Sequence, residues 1–130
     1  MTVPENTTSQ GTKLGWTLLT VWGGTILVLS LIPSPPHICN RFLSWDKFQH
    51  ASAYAVFTLF GYLAFTRLTD HKWRIIAAMV VAVFFGAVIE VAQGLFTAFR
   101  QADYRDVVAN TFGALMTGMA VTLYNRFKRG

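Results

Sequence analysis

Residues 75–99 read IIAAMVVAVFFGAVIEVAQGLFTAF, an apolar run interrupted only by Glu90 and Gln93. Its length suits a helix that crosses the hydrocarbon core of a bilayer, which takes about 20 residues. A second such run, LGWTLLTVWGGTILVLSLI at residues 14–32, carries no charge and stops at Pro33, Pro35 and Pro36. Neither run alternates with the period of a strand. Lipid leaves only helices or closed barrels as spanning structures, so the pattern predicts helices.

Working outward, the segment from Trp45 to Leu68 is apolar from Ala51 to Phe65 but opens on Asp46, Lys47 and His50. A fourth run spans 107–124, and NRFKRG closes the sequence. The expectation is an all-α integral membrane bundle of four transmembrane helices, at about 14–32, 45–68, 75–99 and 107–124, within one domain over 14–126. Residues 1–13, MTVPENTTSQGTK, are polar and lack an apolar face, and read as a disordered tail. Lys13 is the one basic residue before the first run and no A-x-A site follows it, so a retained helix is expected rather than a cleaved signal peptide.

Composition agrees. Of 130 residues, 53% are hydrophobic and 13% charged, against about 25% charged in a soluble domain. The mean hydropathy is +0.42. A soluble fold of this size buries only about 60–70% of its surface and could not hide so much apolar area. The same numbers exclude disorder. The net charge of +5 would suggest nucleic acid in a soluble chain, but here basic residues belong to membrane loops, and no nucleic-acid partner is expected. One cysteine, Cys39, excludes an internal disulfide.

Basic residues also orient the chain. Lys13, Arg67, Lys72, Arg74, Arg126, Lys128 and Arg129 fall on one side, and Arg41, Lys47, Arg100 and Arg105 on the other. The positive-inside rule then puts both termini in the cytoplasm.

The remaining polar residues gather at one end. Asp46, His50, Tyr54 and Gly61 share a face of the second helix, and Asp106, Asn110, Gly113 and Thr117 a face of the fourth. In the third, Ala78, Ala82, Gly86, Glu90 and Gly94 form a small-residue stripe of the kind that lets membrane helices pack closely. Three helices thus deliver Asp46, Lys47, His50, Glu90, Gln93, Arg100, Asp103, Asp106 and Asn110 to the outer end. A glutamate in lipid needs a partner. Three readings are open: an ion-pair network that pins helix ends, a polar pocket for a lipid head group or small molecule, and catalysis with His50 and Glu90 sharing acid–base work. Asp103, Asp106, Glu90 and His50 could form an oxygen-rich cation site, but no metal-binding motif stands out, and the expectation is no metal and no cofactor. His37 and His71 are expected in loops without a ligand role. Trp16, Trp22, Tyr62 and Phe84 read as lipid-facing or packing residues.

The run WDKFQHASAYAVFTLFGYL at 45–63, E-x-x-Q at Glu90 and Gln93, and R-x-x-D-x-x-D-x-x-x-N from Arg100 to Asn110, then Gly113, resemble the VanZ-like family. The matched positions are Asp46, Lys47, His50, Tyr54, Glu90, Gln93, Arg100, Asp106, Asn110 and Gly113, in the same order across residues 45–120. The resemblance implies a small bacterial inner-membrane protein of about four helices. The family's namesake is associated with low-level teicoplanin resistance. The function expected is binding or modification of an envelope-associated molecule in a polar pocket at the outer face, with links to glycopeptide resistance. Expected partners are membrane lipids and an envelope precursor. The alternative is a non-catalytic subunit or assembly factor of a larger membrane complex.

Overall fold

The computed structural model describes residues 5–32, 42–68, 70–98 and 102–130, with side chains from residue 9 in the first segment and from residue 47 in the second. The chain is all-helical there: α1 (Glu5–Leu31), α2 (Phe42–Ala64), α3 (His71–Phe96) and α4 (Tyr104–Arg129), with no strand among the described residues. Three of the helices are long and apolar enough to cross a membrane, over Ser9–Leu31, His71–Phe96 and Tyr104–Arg129. The proline stop after Ile32, His37, Cys39 and the charge of Arg41 lie outside the described residues.

The boundaries differ from the sequence expectation in a consistent way. Hydropathy marks the apolar middle of a helix, whereas caps set its ends. α3 begins at His71 rather than residue 75 because Asp70 caps it, accepting from the Lys72 backbone N–H. α4 begins at Tyr104 rather than 107 because Asp103 does the same with Arg105 N–H, and it runs on to Arg129 rather than 124. α3 stops at Phe96, short of residue 99, where Thr97 turns into extended backbone. α2 covers Phe42–Ala64 instead of 45–68. α1 starts at Glu5, so residues 5–13 continue the helix instead of forming a separate tail. At that end Thr12 Oγ1 shares a 2.6 Å hydrogen bond with Thr66.

Hydrogen bonds fix the up-and-down order. Thr12 of α1 meets Thr66 beyond α2, Asn125 of α4 donates to the Tyr62 hydroxyl, and His71 at the start of α3 bonds that same hydroxyl. These contacts form one end of the bundle, and it carries Lys13, Arg67, Lys72, Arg74 and the basic end of α4. At the other end Gln93 of α3 donates to the Ser30 carbonyl of α1, and Lys47 of α2 bonds Asp103 before α4.

α2, which carries Asp46, Lys47 and His50 in its first turns, is the central helix. It packs against α1, α3 and α4, while α1 and α4 do not meet. Its neighbours, not lipid, cover its polar face, which explains how it tolerates Lys47 and His50. The contacts are close because small residues sit at the crossings. A Cβ on Gly113 of α4 would fall 1.9 Å from the Ala51 carbonyl oxygen, and one on Gly15 of α1 would fall 2.6 Å from Leu63 backbone atoms. The aromatic layer between them is tight: Phe57 and Phe85 stack at 4.8 Å and 2°. Ala78, Ala82, Gly86 and Glu90 of the small-residue stripe are buried as expected, whereas Gly94 is exposed.

Trp22 is a partly buried packing residue, donating to the Ala53 carbonyl at 2.9 Å, and Tyr62 is buried. Phe84 and Trp16 point outward, along with many large apolar side chains such as Val80, Leu95 and Phe127. An exterior this apolar suits a hydrocarbon solvent.

Candidate functional site

The site lies at the end where α2 and α4 begin and α3 finishes. Glu90 is only 4% exposed, yet it is a carboxylate on the most apolar helix. Its Oε2 accepts the Asp103 backbone N–H at 3.1 Å. That bond follows from capping: Asp103 has left the helical conformation to cap α4, so its own N–H faces back toward α3. Lys47 reaches over from α2, its Nζ bonding Asp103 Oδ2 at 3.2 Å and also Asp106 Oδ1.

One turn deeper, His50 Nδ1 lies 3.2 Å from Asn110 Oδ1, and its Nε2 lies 3.7 Å from Asp106 Oδ2. Asn110 and Tyr54 are each 2% exposed. Gly86 makes room for both: a Cβ there would fall 2.8 Å from Asn110 Nδ2 and 3.0 Å from the Tyr54 ring.

Two polar atoms are orphaned. Glu90 Oε1 and the Tyr54 hydroxyl are buried with no hydrogen-bond partner among the described residues. Such groups cost about 1–3 kcal/mol each, more when charged, so native folds rarely keep them without a use. They stand at the polar end of a cavity of about 460 Å³ between α1 and α2, whose walls are otherwise mostly apolar, among them Trp22, Ile26, Leu29 and Val56.

The sequence-expected residues divide clearly. Lys47, His50, Tyr54, Glu90, Asp103, Asp106 and Asn110 are brought together. Gln93 is buried next to them but spends its amide N–H on the Ser30 carbonyl at 2.9 Å, tying α3 to α1. The side chain of Asp46 and the whole of Arg100 lie outside the described residues. The contribution of α1 went unread, because its wall of the cavity is built from residues of an uninterrupted apolar run. Thr25 and Ser30, polar positions within that run, were the available signal.

Asp103 also gives the site a pH dependence. The Arg105 amide that donates to it, and the Lys47 ammonium beside it, hold its carboxyl below the usual carboxylate range. A depressed folded-state value means a stabilising contribution that is complete above the unfolded-state pKa and is lost as pH falls through the folded one. Unfolding of detergent-solubilised protein followed from pH 7 down to about pH 3 should therefore show wild type losing its advantage over Asp103→Ala. A difference that stays constant across that range would refute the assignment.

An all-helical bundle with apolar outer faces and a buried polar cluster at one end defines a membrane protein with an internal polar site. The chain belongs to the VanZ/LLP1 family, whose model matches residues 6–125. No curated protein and no solved structure matches it.

Proposed function

We propose that this VanZ/LLP1 protein crosses the bacterial cytoplasmic membrane four times with both termini in the cytoplasm. In this reading the groove between α1 and α2 opens at the outer face and holds an amphiphilic molecule of the cell envelope. The orphaned pair carries the reading: Glu90 offers an acceptor in Oε1 and Tyr54 a donor in its hydroxyl, and both residues line an otherwise mostly apolar groove. An amphiphile matches both parts, its head group meeting the two polar atoms and its chain lying against Trp22, Ile26 and Leu29. The cavity volume is within the usual range for ligand sites, about 300–1,000 Å³. A larger hollow of about 1220 Å³ near Trp16 and Phe65, at the opposite end, has neither orphaned atom in its wall.

The orientation is supported by the basic cluster at the other end of the bundle, which the positive-inside rule assigns to the cytoplasm. With His50 and Asp106 beside the head-group position, binding is the function and modification of the bound molecule an extension of it. The family resemblance adds a role in glycopeptide susceptibility.

The test is teicoplanin and vancomycin susceptibility of a Gram-positive host producing wild type or Glu90→Ala at matched membrane levels. Selective protection by wild type, lost in the variant, is the expected result. Lipid extracted from wild type and not from the variant would identify the occupant. A stoichiometric protein partner, with no bound lipid, would replace this reading with that of a subunit of a larger complex.

A further inference from the structure

The donor atoms at the polar end have a second property. His50, Glu90 and Asp106 each present one ligand-type atom within 4.8 Å of the other two. Each of the three is also held from behind at its other atom. Asn110 Oδ1 faces His50 Nδ1, so the tautomer protonated at Nδ1 turns the Nε2 lone pair toward Asp106. The Asp103 backbone N–H holds Glu90 Oε2, and Oε1 is the orphaned oxygen. Lys47 holds Asp106 Oδ1 and leaves Oδ2. Ligands oriented by a second layer of hydrogen bonds are characteristic of protein metal sites, where the imidazole nitrogen not bound to metal is held by an acceptor.

We propose that His50 Nε2, Glu90 Oε1 and Asp106 Oδ2 bind a first-row divalent cation. Two ligands about 2.1 Å from one ion lie at most about 4.2 Å apart. The 3.7 Å between His50 Nε2 and Asp106 Oδ2 already satisfies that limit, and no separation in the cluster needs to close by more than about 0.6 Å. Charge agrees as well. Among the described side chains here, Glu90, Asp103 and Asp106 face the Lys47 ammonium and the Arg105 guanidinium beside Asp103, which leaves one formal negative charge to balance. One imidazole with two carboxylates suits zinc or manganese better than calcium, which takes oxygen ligands throughout. Three protein ligands leave coordination positions for water or for an oxygen of a bound molecule, and the site stands whatever fills the groove.

The experiment uses the full chain in detergent, stripped with chelator and then equilibrated separately with Zn²⁺ and Mn²⁺. Wild type should take up one ion per chain, with a rise in unfolding temperature. His50→Gln, Glu90→Gln and Asp106→Asn should each weaken binding by more than the roughly 100-fold that outer-layer substitutions reach. His71→Gln, at the opposite end of the bundle, should bind like wild type. Pulsed EPR of Mn²⁺ on wild type needs no variant to fold and should show coupling to a single imidazole nitrogen. Failure of wild type to take up either ion overturns the proposal. So does binding that survives all three substitutions, or a Mn²⁺ spectrum without nitrogen coupling. Metal binding without any extracted lipid would leave this site standing and remove the amphiphile.

Discussion

Gly113→Ala is expected to destabilise the protein by about 3 kcal/mol, the upper end of what overpacking usually costs. The added methyl would fall 1.9 Å from the Ala51 carbonyl oxygen, 2.8 Å from its carbon and 3.0 Å from its Cα. All three are backbone atoms of a helix interior, so no rotamer change relieves the clash. The two helices must separate instead. One turn further along α4, Thr117 Oγ1 donates to the Ala55 carbonyl at 2.9 Å, which fixes the register and opposes sliding. Separation would also pull Lys47 from Asp106 and His50 from Asn110, so loss of the site should accompany loss of stability. Thermal or SDS-induced unfolding in detergent measures it. A variant within about 0.5 kcal/mol of wild type, the range of an unremarkable surface change, would mean that α2 and α4 do not cross at this residue.

Glu90→Gln and Tyr54→Phe should separate function from folding. The Tyr54 hydroxyl makes no hydrogen bond among the described residues, so removing it deletes an unsatisfied buried group. The effect on stability should be near zero or slightly favourable. Glu90→Gln keeps the volume and an oxygen that can still accept the Asp103 N–H. Both variants should accumulate and unfold like wild type. Both should lose ligand retention by at least tenfold, the equivalent of about 1.4 kcal/mol, a typical hydrogen-bond contribution. Equal retention of envelope lipid by wild type and both variants would remove the orphaned pair from the binding site. Marked destabilisation of Tyr54→Phe would instead give the hydroxyl a structural partner.

The small-residue spacing in α3 and α4 was readable as helix-packing faces, and most of it is buried at contacts. The gathering of Lys47, His50, Glu90, Asp106 and Asn110 was readable too, because each lies near the same end of an apolar run whose direction alternates. What spacing could not reveal is which polar atom meets which. Gln93 and Glu90 stand one turn apart, yet one ties α3 to α1 and the other keeps an unpartnered oxygen. That difference depends on a Ser30 carbonyl 63 residues away in sequence.

The central position of α2 shows the same division. Its first turns are polar, and it is not among the three helices apolar enough to span alone. Packing nonetheless makes it the helix that touches all three others.

Sequence by itself determined the helical class, the apolar exterior and the end at which the polar residues collect. These depend on hydropathy and on periodicity within single helices, which are local quantities. Tertiary structure alone decided the α1 wall of the groove and the partners left unmade at Glu90 and Tyr54. A hydrogen bond needs two atoms about 3 Å apart, and when those atoms belong to different helices, only packing brings them there.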